Sequence, residues 1–293
     1  MSSFVNVLLG GVFHAAVLFL VAAGLQIVFG VQKIINLACG AFYATGAYVG
    51  VAVAAWAIAH GLPPLWFLPV LVASGLALAV IGPPLERLLR TIYGRDEAFQ
   101  LLLTFALLLV FEDALRFIWG ANPQQLGNVV MQYGSLGSGE VRVPTYNVIV
   151  IVISIASAIA LGAVLQRTRF GRIVRATAEN RGMSEAIGVD TSRVNAMVFT
   201  LGTVLGTLGG ALVVPTAAAS LDMAAEVVVE AFAVVVIGGL GSMRGAIVGA
   251  MIVGLMRAAA IAIMPELEVI AIYAVVILVL ILRPWGLFGK PAT

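Results

Sequence analysis

Titratable side chains are scarce in this chain: its 293 residues hold 14 Asp and Glu, 16 Lys and Arg, two His and one Cys. The lone Cys39 excludes an intrachain disulfide and any multi-thiolate metal centre within one chain. His14 and His60 are too few for a His-based metal cluster, and both read as interfacial polar residues near helix ends. No GxxxxGK[ST] loop occurs, since Gly289 and Lys290 are followed by Pro291, so the chain has no P-loop of its own for ATP. HExxH and Ser/His pairings are missing from the apolar segments, so no enzymatic activity and no bound cofactor are expected. A basic leader is missing too. The first Lys or Arg is Lys33, so the opening apolar run reads as a retained span rather than a cleaved signal.

Apolar residues fill the space that charge vacates. They make up 62% of the chain against 10% charged, with mean hydropathy +1.11, where soluble domains run near about 45–50% and about 25%. The expected fold is all-α and polytopic, one transmembrane domain over 1–293, because each crossing takes roughly 20 apolar residues. Candidate spans fall at 8–30, 36–58, 65–83, 98–119, 145–166, 195–214, 226–240, 246–263 and 268–283, giving about 8–9 transmembrane helices. The seventh is weakest: it is short, carries Glu226 and Glu230, and suits a glycine-broken helix packed inside protein.

Basic residues set the orientation, since Lys and Arg of short loops collect on the cytoplasmic side. With the N-terminus outside and the C-terminus cytoplasmic, thirteen of the 16 fall inside: Lys33, Arg87, Arg90, Arg95, Arg167, Arg169, Arg172, Arg175, Arg181, Arg193, Arg244, Arg283 and Lys290. A net charge of +2 arising from loop arginines gives no reason to expect nucleic acid. The longest external loop is about 120–143, and the largest cytoplasmic loop about 167–193. Trp56, Trp66, Trp119 and Trp285, with Pro63, Pro64, Pro83, Pro84, Pro144 and Pro284, mark span edges.

Charges within spans are costly alone and are paired or functional. Glu112, Asp113 and Arg116 share a helix face at spacings of four and three, which suits self-pairing near the outer interface. Glu226 and Glu230 read either as capping groups at a helix start or as contacts for an external partner. Glycines recur four apart at Gly202 and Gly206, and at Gly241, Gly245 and Gly249, a spacing that lets helices approach closely in lipid. Gly238, Gly239 and Gly241 cluster where a broken helix could line a solute path. They do not form a dinucleotide fingerprint, because Arg244 stands in place of the third glycine. In INLACGAFYATGAY, the polar and small residues Asn36, Cys39, Gly40, Thr45, Gly46 and Tyr48 either bond between helices or line that path.

Three segments, GLQIVFGVQKIINLACGAFYATGAYVG, FGRIVRATAENRGMSEAIGVDTSRVNAMVFTLGTVLGTLGGAL and VIGGLGSMRGAIVGA, together resemble the permease subunits of ATP-binding-cassette importers for branched-chain amino acids, a family that also serves urea and short amides. The resemblance runs nearly end to end. It implies a multi-pass protein of the bacterial inner membrane, a related second permease subunit, two cytoplasmic ATPase subunits carrying ATP and Mg, and an external solute-binding protein. It also implies that the loop near 167–193 docks a short helix on the ATPase, with Arg172, Arg175, Glu179, Asn180, Arg181, Ser184, Glu185 and Gly188 as the coupling residues. This chain departs from the family at Cys39 and Ala41, where His and an acidic or small residue are usual, and at Ser184, where Ala is common. The alternative is a stand-alone secondary transporter of a small polar solute, which would want an unpaired midplane carboxylate that no span centre offers.

Overall fold

The computed structural model describes residues 2–127, 133–136 and 143–289. The chain is helical almost throughout, and the helices lie where the apolar runs fall. In order they are α1 (Ser2–Gln32), α2 (Cys39–Ala59), α3 (Phe67–Ala77), α4 (Gly82–Arg90), α5 (Glu97–Trp119), α6 (Thr145–Arg167), α7 (Arg169–Glu179), α8 (Arg181–Ala186), α9 (Thr191–Val213), α10 (Met223–Gly238), α11 (Met243–Ile263) and α12 (Glu268–Leu282). Seven helical segments are long and apolar enough to cross a bilayer: Val5–Gln32, Cys39–Ala59, Pro64–Arg90, Thr145–Arg167, Thr191–Val213, Met243–Ile263 and Pro265–Leu282. The other two expected spans are α5, which carries Glu97, Glu112, Asp113 and Arg116, and α10. At 16 residues, α10 reaches about 24 Å, short of a hydrocarbon core of about 30 Å.

Pro83 and Pro84 do not end the third span. Helix α3 passes through a 3-10 segment, Leu78–Ile81, into α4, whose first turn holds the prolines. A proline in that first turn forfeits only N–H groups that would be unpaired anyway, so the segment bends without stopping. Beyond it Glu86, fully buried, pairs with Arg90 at 2.6 Å and accepts from the Tyr93 hydroxyl at 3.1 Å.

Helix α9 is the central post. It packs against α1, α2, α3 and α4, and small residues make that closeness possible. A Cβ on Gly210 would run into the Tyr43 carbonyl, and one on Gly46 into the Thr207 carbonyl, while Gly24 and Gly202 face each other across α1 and α9. Hydroxyls cross the same contacts: Thr207 Oγ1 donates to the Gly75 carbonyl at 2.8 Å and Tyr146 Oη to the Leu212 carbonyl at 2.7 Å. Bonds of this kind in a bilayer are worth about 0.6 kcal/mol each.

The connection between α5 and α6 contains a small hairpin, β1 (Ser135–Leu136) against β2 (Val143–Pro144), antiparallel. Residues 128–132 and 137–142 of the expected loop lie outside the described residues. The Tyr133 hydroxyl ties this loop to the start of the third span, donating to the Pro64 carbonyl at 2.7 Å and accepting from Leu68 N at 3.0 Å.

Candidate functional site

The basic loop near 167–193 folds as an elbow of two helices. Thr168 caps α7 by accepting from Gly171 N at 3.0 Å. Asn180 leaves helical geometry at φ −148° and caps α8 by accepting from Met183 N at 2.9 Å. Arg181 pairs with Glu185 at 3.0 Å and the Thr191 hydroxyl donates to Glu185 at 2.7 Å. The Thr191 hydroxyl first, and Arg181 with it, hold the Glu185 carboxyl below the usual Glu range. Ser184 turns inward, donating to the Asn180 carbonyl at 2.9 Å, so that Met183 at 63% and Ile187 at 72% exposure stand outward. Arg172, Arg175 and Glu179 are exposed along α7, and Gly188, at φ +87°, makes the left-handed turn into α9.

The residues of α2 and of the glycine cluster sit in tight packing. Asn36 Oδ1 accepts from Ala38 N at 3.1 Å just before α2 begins, and Thr45 donates back to the Ala41 carbonyl at 2.7 Å. Cys39 is buried, and Gly40 abuts the Ala224 carbonyl. Gly238 meets Gly245 backbone to backbone, which is what lets α10 and α11 converge. Gly239 and Gly241, at φ +96° and +79°, form the turn between them. Gln26 of α1 clamps that turn, donating to the Gly239 carbonyl at 2.9 Å and the Ser242 carbonyl at 3.3 Å and accepting from Gly241 N at 2.6 Å. The segment after α12 folds back on it, Leu287 N bonding the Ile237 carbonyl at 2.8 Å and Phe288 N the Gly238 carbonyl at 3.0 Å.

None of Asn36, Cys39, Gly40, Thr45, Gly46, Gly238, Gly239 and Gly241 lines either of two cavities that flank a cluster of charged side chains. One cavity, of about 690 Å³, lies among α1, α2, α6, α10 and α11; the other, of about 490 Å³, among α10, α11 and α12. Glu226, Glu230 and Arg257 line both, so this cluster is their shared wall. The Arg257 guanidinium reaches Glu230 at 2.8 Å and Glu268 at 2.5 Å. His14 Nε2 lies 2.9 Å from Glu230 and 2.9 Å from Arg257 Nη1. Protonated, that nitrogen donates to Glu230; deprotonated, it accepts from Arg257.

Here the structure revises two sequence readings. His14 is no interfacial histidine but a member of this cluster, well inside α1, whereas His60 is exposed and bonded to the Trp56 carbonyl at 2.9 Å. Glu112, Asp113 and Arg116 do not pair: among the described residues none of them takes part in an ion pair, and Asp113 and Arg116 are exposed on α5. Among the described residues no group of three or more His, Cys, Asp or Glu is arranged to hold a metal ion. The sequence reads Glu230 as a capping group or a contact for an external partner and gives Arg257 no role; the structure instead puts both in this cluster. Their partners His14 and Glu268 come from helices distant in sequence, and no local spacing joins them.

A bundle with seven helices long and apolar enough to cross a bilayer, and a charged cluster walling two cavities, belongs to the class of polytopic membrane proteins. The family described as branched-chain amino acid transport system / permease component matches residues 7–280, and the chain belongs to it. Its relatives include the high-affinity branched-chain amino acid transport system permease protein LivH of Salmonella typhimurium, 27% identical over 98% of this chain and 96% of its own length. The counterpart named BraD from Pseudomonas aeruginosa is 25% identical over 93% of this chain and 91% of its own. The ribose import permease protein RbsC of Haemophilus influenzae is 27% identical over 70% and 64%. The chain is a multi-pass inner-membrane protein of the transport-permease class.

Proposed function

We propose that the chain is the membrane-spanning subunit of an ATP-driven importer of branched-chain amino acids. It pairs with a related second permease subunit, is driven by two cytoplasmic ATPase subunits, and receives solute from an external binding protein. The single domain crosses eight or nine times with the N-terminus outside. The solute class rests on the names of its LivH and BraD relatives.

One observation carries the coupling part of this reading. The α7–α8 elbow presents Met183 and Ile187 outward, and Arg172, Arg175, Glu179, Arg181 and Glu185 are exposed on the same two helices. Apolar knobs among exposed charges are the pattern of a helix that seats in a partner's groove. A chain without a P-loop needs such a contact to draw on ATP hydrolysis elsewhere. Asn180 and Gly188 fix the geometry at either end of α8, and the inward Ser184 keeps its outer face free for the knobs.

Replacing Met183 and Ile187 together with Asp tests the coupling role in the assembled transporter. ATP-driven leucine uptake is expected to fall at least about tenfold, since central apolar anchors dominate such interfaces, while the amount of permease in the membrane stays unchanged. Wild-type uptake by that double variant would overturn the coupling assignment.

A further inference from the structure

The charged wall between the two cavities carries an imbalance that the folded chain itself does not resolve. Three carboxylates, Glu226, Glu230 and Glu268, surround one guanidinium, Arg257, and one imidazole, His14. Arg257 is engaged by Glu230 and Glu268, and His14 by Glu230. Glu226 is exposed one turn before Glu230 on α10, and among the described residues it has no ion-pair partner. Even with His14 protonated, one negative charge is left over, on the Glu226 carboxylate that faces the larger cavity, and a cation entering there is attracted to it.

A second observation comes from a different helix. Tyr43 of α2 is 7% exposed and lines the same cavity, yet among the described residues its hydroxyl makes no hydrogen bond. The hydroxyl oxygen itself is not enclosed by protein: it reaches the cavity and is open to a ligand there. The remaining wall is largely apolar, with Phe13, Val17, Val213, Val227 and Ile261. The volume, about 690 Å³, falls in the range of roughly 300–1,000 Å³ typical of small-molecule sites.

We propose that this cavity is a binding site on the solute path for a primary ammonium group attached to an aliphatic body. Glu226 and the Tyr43 hydroxyl contact the ammonium, and Arg257 and His14 hold Glu230 beside it. An ammonium supplies the missing positive charge and three donors to acceptors that otherwise lack them, and the aliphatic part lies on the apolar wall. Neutral solutes such as urea, amides or a sugar bring no charge to match. The site rests on the importer reading above for its place on a transport path, but its chemistry is separately testable.

The test uses the purified transporter complex in nanodiscs without the binding protein. Isoamylamine serves as an aliphatic ammonium without a carboxylate, and isocaproate as the matching carboxylate without an ammonium. Isoamylamine is expected to raise the unfolding temperature and isocaproate to leave it unchanged. Glu226→Gln should weaken isoamylamine binding at least about tenfold, the cost of losing a charged hydrogen-bond partner. Glu226→Asp should restore most of it, and Tyr43→Phe should weaken it with the fold intact. Equal protection by isocaproate, or unaltered isoamylamine binding by E226Q, overturns the site. ATP-driven uptake of L-leucine by the wild-type complex is measured in parallel. Uptake without isoamylamine binding removes the site and leaves the importer; isoamylamine binding without leucine uptake leaves the site and removes the importer reading.

Discussion

Arg257 is held by two carboxylates and an imidazole drawn from three other helices, so its removal strands several charges at once. Breaking a buried pair from one side costs about 3–5 kcal/mol, because the orphaned charge stays behind. Arg257→Leu is therefore expected to lower the stability of the detergent-solubilised protein by about 3 kcal/mol, read from its denaturant or thermal transition. Adding Glu230→Leu to that variant should recover part of the loss, since it removes the more buried of the two carboxylates left facing an empty place; Glu268 is more exposed. An additive loss would show that the two side chains do not support each other. The sequence made the presence of charges inside spans visible but not their company. The Glu112–Arg116 spacing promised a pair that the exposed face of α5 does not form, although the same spacing does pair Glu86 with Arg90 and Arg181 with Glu185, while the cluster at the cavities joins α1, α10, α11 and α12. Helical periodicity speaks only of neighbours three or four positions apart, so a cluster assembled from four helices leaves no local trace.

At the level of elements, glycine spacing was legible and its purpose was not. Gly202, Gly245 and Gly249 stand where backbones nearly touch, as their four-residue spacing leads one to expect, whereas Gly241 of the same series makes no close contact and serves the turn instead. Yet the same residues fit equally well a broken helix lining a path, and only the position of Gln26 tells how the turn is held. That side chain satisfies three backbone groups of the α10–α11 turn by itself. Gln26→Leu would fill similar space and remove a partner from the buried Gly239 carbonyl and from the part-buried Gly241 N–H and Ser242 carbonyl, where an unsatisfied buried group costs about 1–3 kcal/mol. A loss of about 2 kcal/mol or more is expected, with faster amide exchange confined at first to residues 238–245. The prolines teach the same lesson from the other side. Pro83 and Pro84 mark the boundary of α4 correctly, but the 3-10 segment before them carries the chain on in the same span.

Across the whole molecule, composition sufficed to give the class. With 62% hydrophobic residues gathered in runs of about 20, the length of a helical crossing, membrane helices are the way this backbone satisfies its own hydrogen bonds. Peripheral helices are mostly bare: the apolar windows of Thr145–Arg167 and Pro265–Leu282 are 17% and 6% buried inside the protein, against 78% for Val5–Gln32. The orientation argued from arginines has a direct check, because Cys39 is buried and gives a quiet background. In a Cys39→Ser host, Met183→Cys should react with a membrane-impermeant maleimide only after cells are opened, and Ser135→Cys should react in intact cells. The reverse pattern would invert the topology. The fold was readable because hydrophobicity is a summed property; the cavity was not, because it is a space between elements.

The segment at 283–289 lies across the end of α10, meeting its last carbonyls through Leu287 and Phe288. Synthesis runs from the N-terminus, so the α10–α11 turn must wait, with those acceptors unfilled, until α12 is in place and the residues beyond it have emerged. A ribosome stalled inside α12 would leave a chain with every preceding helix present and one end of the bundle open.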